Sequence, residues 1–71
     1  MRPLSAKKLI KVLEKNGFIL SRQKGSHMIF KNSATGIIVP VPLHGKNKPI
    51  FIGTFIAIVK QSKIHKNQWL L

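Results

Sequence analysis

The sequence predicts a two-layer α+β domain: a helix, three antiparallel strands and a second helix, with both helices on one face of the sheet. Three observations carry this. A helical apolar period opens the chain, period-2 alternation between short glycine-containing turns follows, and a second helical period comes after a basic loop. The 71 residues leave room for one small domain, expected to span 1–71 with a core over about 4–64 and a tail at 65–71.

The first helix is expected over 4–16. Ala6, Leu9, Ile10 and Leu13 recur at i, i+3, i+4 and i+7, while Lys7, Lys8, Lys11 and Lys15 fall on the opposite side. Ser5 suits the N-cap, and Gly17 suits the left-handed position that stops the helix. The period then changes to 2. Phe18 and Leu20 alternate with Ile19 and Ser21 in a half-buried strand over 18–23. Lys24, Gly25 and Ser26 form a tight turn into a strand over 27–31, with Met28 and Phe30 on one face and His27 and Ile29 on the other. A second turn at 32–36 leads to a β-branched strand over 37–41. Pro40 and Pro42 cannot donate to a ladder, so that strand is expected to lie at an edge or to end there. A basic loop over 43–49 precedes a helix over about 53–62. Phe55, Ile58 and Val59 give that helix its apolar face, and Gly53 and Thr54 offer capping groups. The tail, with Trp69, Leu70 and Leu71, reads equally as a short helix or a docked extended segment.

Charge narrows the partners. Thirteen Lys and Arg against a single acid, Glu14, give a formal charge of +12 and a pI near 11.4. A surface selected only for solubility mixes both signs, whereas a small domain of one sign expects a polyanion, nucleic acid above all. No apolar run approaches the roughly 18 residues of a membrane span, and the opening Met1-Arg2-Pro3 lacks the apolar stretch of a signal peptide. Hydrophobic residues at 44% exclude disorder. Folding at this size buries only about 60% of the unfolded surface. The absence of Cys removes disulfides, thiol nucleophiles and Cys-type zinc sites, and fits a reducing compartment.

One carboxylate also restricts the chemistry. Glycoside hydrolysis by paired carboxylates is excluded, and two-metal phosphodiester cleavage lacks its oxygen ligands. Three scattered His do not make a metal site, so no metal or cofactor is expected. A catalyst built here uses His, Lys, Arg, Ser or backbone groups. His27 is the sharpest candidate. It follows a glycine turn and opens a strand, its neutral imidazole (reference pKa about 6.5) can accept a proton near pH 7, and Arg22, Lys24 and Lys31 are close in sequence. A His beside cations is what metal-free RNA cleavage requires: a base for the ribose 2′-OH and positive charge for the phosphorane. The competing reading is a surface His that merely starts a strand. Gly25 serves the turn, and it also lets a phosphate approach the amides of Ser26 and His27. His44 either pairs with His27 in proton transfer, binds phosphate, or only decorates its loop. Lys46 and Lys48 extend a cationic track, and His65 receives no role. For Trp69, core packing or an oligomer contact is preferred over base stacking.

The residues also match a known family. Lys15-Asn16-Gly17-Phe18 followed by Arg22-Gln23-Lys24-Gly25-Ser26-His27-Met28-Ile29-Phe30 resembles the opening of the HicA toxins. The match continues through Val39-Pro40-Val41-Pro42-Leu43-His44 and the run 53–61, so it covers about residues 4–64. Family members often carry Lys or Pro before the Gly-Thr element, where this chain has Phe51-Ile52, and Gly-Leu after the second helix, where it has Lys63-Ile64.

The resemblance implies a double-stranded-RNA-binding-like α-β-β-β-α fold, in agreement with the pattern. It also implies a ribosome-independent mRNA interferase of a prokaryotic type II toxin–antitoxin pair, acting in the cytoplasm. His27 falls on the family's catalytic histidine, and a HicB-type antitoxin is expected to cover it. Arg22, Lys24, Ser26, His44, Lys46 and Lys48 are the expected RNA-binding residues. Two rivals stand beside this reading. One is a non-catalytic RNA-binding module of the same fold, and the other is an interaction protein whose cationic surface serves mainly an acidic antitoxin.

Overall fold

The computed structural model describes residues 4–43 and 49–69. Helix α1 runs Ala6–Lys15. Its start is later than the apolar period suggests, because Leu4 and Ser5 are held extended. The Ile50 N–H donates to the Leu4 carbonyl at 3.1 Å, and Ser5 forms an antiparallel bridge with Pro49. Ser5 then acts as the expected N-cap, its hydroxyl accepting the Lys8 N–H at 3.3 Å. Gly17 ends the helix at φ +90°, and a Cβ there would lie 3.3 Å from the Asn32 side-chain nitrogen. That nitrogen donates to the Asn16 carbonyl at 3.2 Å and ties the helix end to the sheet.

Strands β1 (Phe18–Lys24), β2 (His27–Asn32) and β3 (Ile38–Pro42) form an antiparallel meander in the order β1-β2-β3. The proline-bearing β3 lies at an edge, as expected. Strand β1 is not half-buried as its alternation predicts. Only Phe18 is buried, and Leu20 is 48% exposed although its register places it on the core side. Because β1 is the other edge of the sheet, its outer positions have cover from one side only.

Helix α2 covers Ile52–Ser62. It begins one residue before the expected start, so Gly53 and Thr54 lie inside the first turn and do not cap it. Phe51 holds the N-cap position without a side-chain cap, and its carbonyl accepts the Phe55 N–H at 2.8 Å. The tail resolves into a 3-10 helix, Lys66–Trp69, lying against α1. Trp69 is fully buried and meets Phe55 edge to face at a centroid distance of 5.9 Å, which decides for core packing.

These elements share one core. Leu9 and Leu13 of α1 and Phe55 of α2 join Phe18, Phe30, Val39 and Val41 from a single sheet face. The architecture is therefore α+β with both helices on one side of a three-stranded antiparallel sheet. Among the described residues, no helix covers the other face. Among the described residues, no helix is long and apolar enough to cross a membrane.

Candidate active site

The β1–β2 hairpin builds the site. Lys24 and His27 are its closing pair, so Gly25 and Ser26 alone make the turn. A two-residue turn of this kind needs positive φ, and Gly25 has φ +60°. A Cβ at Gly25 would meet nothing within 4 Å, so the space over the turn is open. Two hydrogen bonds hold the turn. The Gln23 side-chain amide donates to the Gly25 carbonyl at 3.2 Å, and the Leu43 N–H donates to the Ser26 carbonyl at 2.7 Å. His27 thus starts a strand whose backbone is fixed on both sides while its side chain remains exposed.

Register decides which side chains accompany it. Directly paired residues on antiparallel strands point to the same face. Lys24 pairs with His27, Arg22 with Ile29, and Ile19 with Lys31. On the other side, Ile29 pairs with Pro40 and Lys31 with Ile38. The open face therefore carries His27, Lys24, Arg22 and Lys31 together with Ile19, Ile29 and Ile38. The alternation Phe18, Leu20, Arg22 would put Arg22 on the core side. A register shift between Leu20 and Arg22 prevents this: Ser21 is absorbed as a bulge, and Arg22 and Lys24 come round to the face of His27. Nothing in the local sequence marks that bulge. It follows from the requirement that Leu20 match Phe30 and Gln23 match Met28 in one ladder.

Arg22, Lys24 and His27 thus share the open face toward the hairpin end, and Ser26 lies in the turn that joins them. His44, Lys46 and Lys48 lie outside the described residues. His65 is in the tail, where its Nδ1 accepts the Asn67 N–H at 3.1 Å. Among the described residues, no three His, Cys, Asp or Glu side chains form a metal-binding group. Lys31 belongs to the cationic face by pairing, although the sequence offered it only as a neighbour of His27.

A family model for the HicA toxin of bacterial toxin–antitoxin systems matches residues 6–64 of the chain. The chain belongs to the HicA toxin family. The matched span runs from the first residue of α1 to just beyond α2 and contains the whole sheet. Among curated proteins, none matches the chain. As a HicA toxin the protein is one half of a toxin–antitoxin system, so an antitoxin partner is implied.

Proposed function

We propose that this toxin is a metal-independent, ribosome-independent mRNA endoribonuclease with His27 as its proton-transfer group. The observation that carries the reading is the shared face of His27, Lys24 and Arg22, which the Ser21 bulge creates at a rigid, open hairpin end. In the proposed reaction the neutral imidazole takes the proton of a ribose 2′-OH. The oxygen attacks the adjacent phosphorus, and the bond from phosphorus to the 5′ oxygen breaks. Arg22 and Lys24 hold the phosphate and offset the charge that builds on its oxygens. Gly25 leaves room above the turn for a phosphate to approach beside Arg22 and Lys24. The leaving 5′ oxygen takes a proton from a second donor, a role proposed for His44, and Lys46 and Lys48 extend the binding track.

The same face supports a HicB-type antitoxin as the neutralising partner. Ile19 is 64% exposed and Ile38 48% exposed beside the cations, a combination that suits a protein with acidic and apolar groups. The compartment proposed for the pair is the prokaryotic cytoplasm.

The test is incubation of the full chain with a long single-stranded RNA in EDTA, beside His27→Ala. Wild-type cleavage leaving 2′,3′-cyclic or 3′-phosphate ends, lost in the variant by a factor of at least about 100, is the expected result. Equal RNA binding by both proteins without cleavage would make the chain a binding module of the same fold. A tight complex with the antitoxin but no affinity for RNA would make it an interaction protein.

A further inference from the structure

Behind the hairpin end, on the helix side of the sheet, lies a groove of about 690 Å³ between α1 and the strands. Its apolar wall is formed by Ile10 and Met28, both half-buried and packed on the core. Exposed Lys7, Lys11, Glu14 and Gln23 line it as well. Two features stand out. The groove holds the chain's single carboxylate, in a protein of net charge +12. It also adjoins the proposed active site, because the Gln23–Met28 pair is the ladder row next to Lys24–His27. Successive rows face opposite sides of a sheet only about 3.4 Å apart along the strand. An RNA strand that crosses His27 and rounds the hairpin end would pass from the open face to the helix side, where this groove lies.

We infer that the groove is a nucleobase subsite for an unpaired nucleotide flanking the cleaved phosphate, with Glu14 as the residue that selects the base. The inference rests on the ribonuclease reading above. The volume is ample for one nucleotide, since small-molecule sites run from about 300 to 1,000 Å³. Met28 and Ile10 offer a flat apolar contact for a base face, the thioether in particular. Lys7 and Lys11, one helical turn apart, are spaced to meet the nucleotide's phosphates. The Glu14 carboxylate accepts and does not donate, so it takes a hydrogen bond from an exocyclic amino group, as a carboxylate does from cytosine N4. Gln23, with one N–H already given to the Gly25 carbonyl, keeps its side-chain oxygen as a second acceptor. An exocyclic amino group of adenine, cytosine or guanine meets two acceptors here, the Glu14 carboxylate and the Gln23 oxygen, while the second Gln23 N–H and the two lysines remain as donors. Uracil presents a carbonyl where adenine and cytosine carry the amino group, and the carboxylate repels it.

The experiment uses the full-length His27→Ala protein, so that RNA is bound and not consumed. Its affinity is measured for short unstructured oligoribonucleotides that differ at single positions, and the Ile10 and Met28 methyl signals are followed by NMR. The expected result is a preference of about tenfold for an amino-bearing base over uracil at one position, with both methyl signals shifted. Adding Glu14→Gln, whose amide can donate to the uracil carbonyl, should remove or reverse that preference. RNA binding with an unchanged order of bases in the Glu14→Gln protein would overturn the subsite and leave the ribonuclease reading standing. So would methyl signals that RNA leaves unmoved, a result that would turn the groove over to a protein partner. No RNA binding by any of the proteins would overturn both readings together.

Discussion

Lys63 sits at the C-cap of α2 with φ +62°, a non-glycine residue in the left-handed region. For an L-residue that conformation costs roughly 1–2 kcal/mol. Glycine avoids the cost but gives back about 0.5–1 kcal/mol through the greater freedom of the unfolded chain. The backbone N–H at this position donates to the Lys60 carbonyl, and a glycine retains it. Lys63→Gly should therefore stabilise the domain by about 0.5–1 kcal/mol, visible as a melting temperature about 3–6 °C higher. An unchanged or lower midpoint in thermal denaturation would show that the Lys63 side chain contributes contacts that offset its backbone strain. The substitution also restores the glycine that the resemblance to HicA toxins leads one to expect after the second helix, so it separates a local preference from a family habit.

At the scale of elements, the β1–β2 hairpin is where pattern and chemistry meet. Phe18 and Leu20 face the same side of the sheet, although only Phe18 is buried, and the residues from Arg22 to Lys24 alternate again, but one residue out of phase. Ser21 is the extra residue. Removing it would let Leu20 and Arg22 follow one another in the ladder while each kept its present partner, Phe30 and Ile29. Deletion of Ser21 should therefore leave a folded protein with Arg22 and Lys24 still beside His27, and RNA affinity close to wild type. Deletion of Gln23 should not be tolerated in this way, because it would bring Arg22 opposite Met28 on the core side. Circular dichroism and RNA binding of the two deletions check the claim. Equal damage by both would mean that the bend of the bulge, and not only its parity, shapes the site.

For the whole molecule the governing fact is charge. With thirteen cations and one acid, the protein approaches any polyanion through a long-range field, and counterion release sets the affinity. Each phosphate contact on single-stranded RNA adds about 0.7 to the slope of log K against log salt concentration. Arg22→Ala and Lys24→Ala should each lower that slope by about this amount, whereas Lys60→Ala, in the last turn of α2, should leave it unchanged. A titration of binding against salt distinguishes these outcomes. An identical slope in all three variants would place the RNA elsewhere than on the face of His27.

Much of this molecule was readable from its residues in order. The 3.6-residue period of α1, the cap at Ser5, the glycine turn before His27 and the prolines of β3 are local signals, and local backbone preference and side-chain chemistry suffice to produce them. The expectation of a polyanion partner follows from composition alone, and the family from motifs at set spacing. What the chain in isolation did not reveal is what depends on register and on distant partners. The exposure of Leu20 comes from the position of β1 at an edge. The choice of Phe55 as the partner of Trp69, where the residues in order left core packing and an oligomer contact both open, comes from packing between separate elements. The common face of Arg22, Lys24 and His27 exists only because two runs of alternating residues must share one ladder. The meeting of Glu14 with Gln23 and Met28 in one groove needs a helix laid across that ladder. Local preference is a property of a few neighbouring residues, whereas a face or a groove is a property of how elements close on one another.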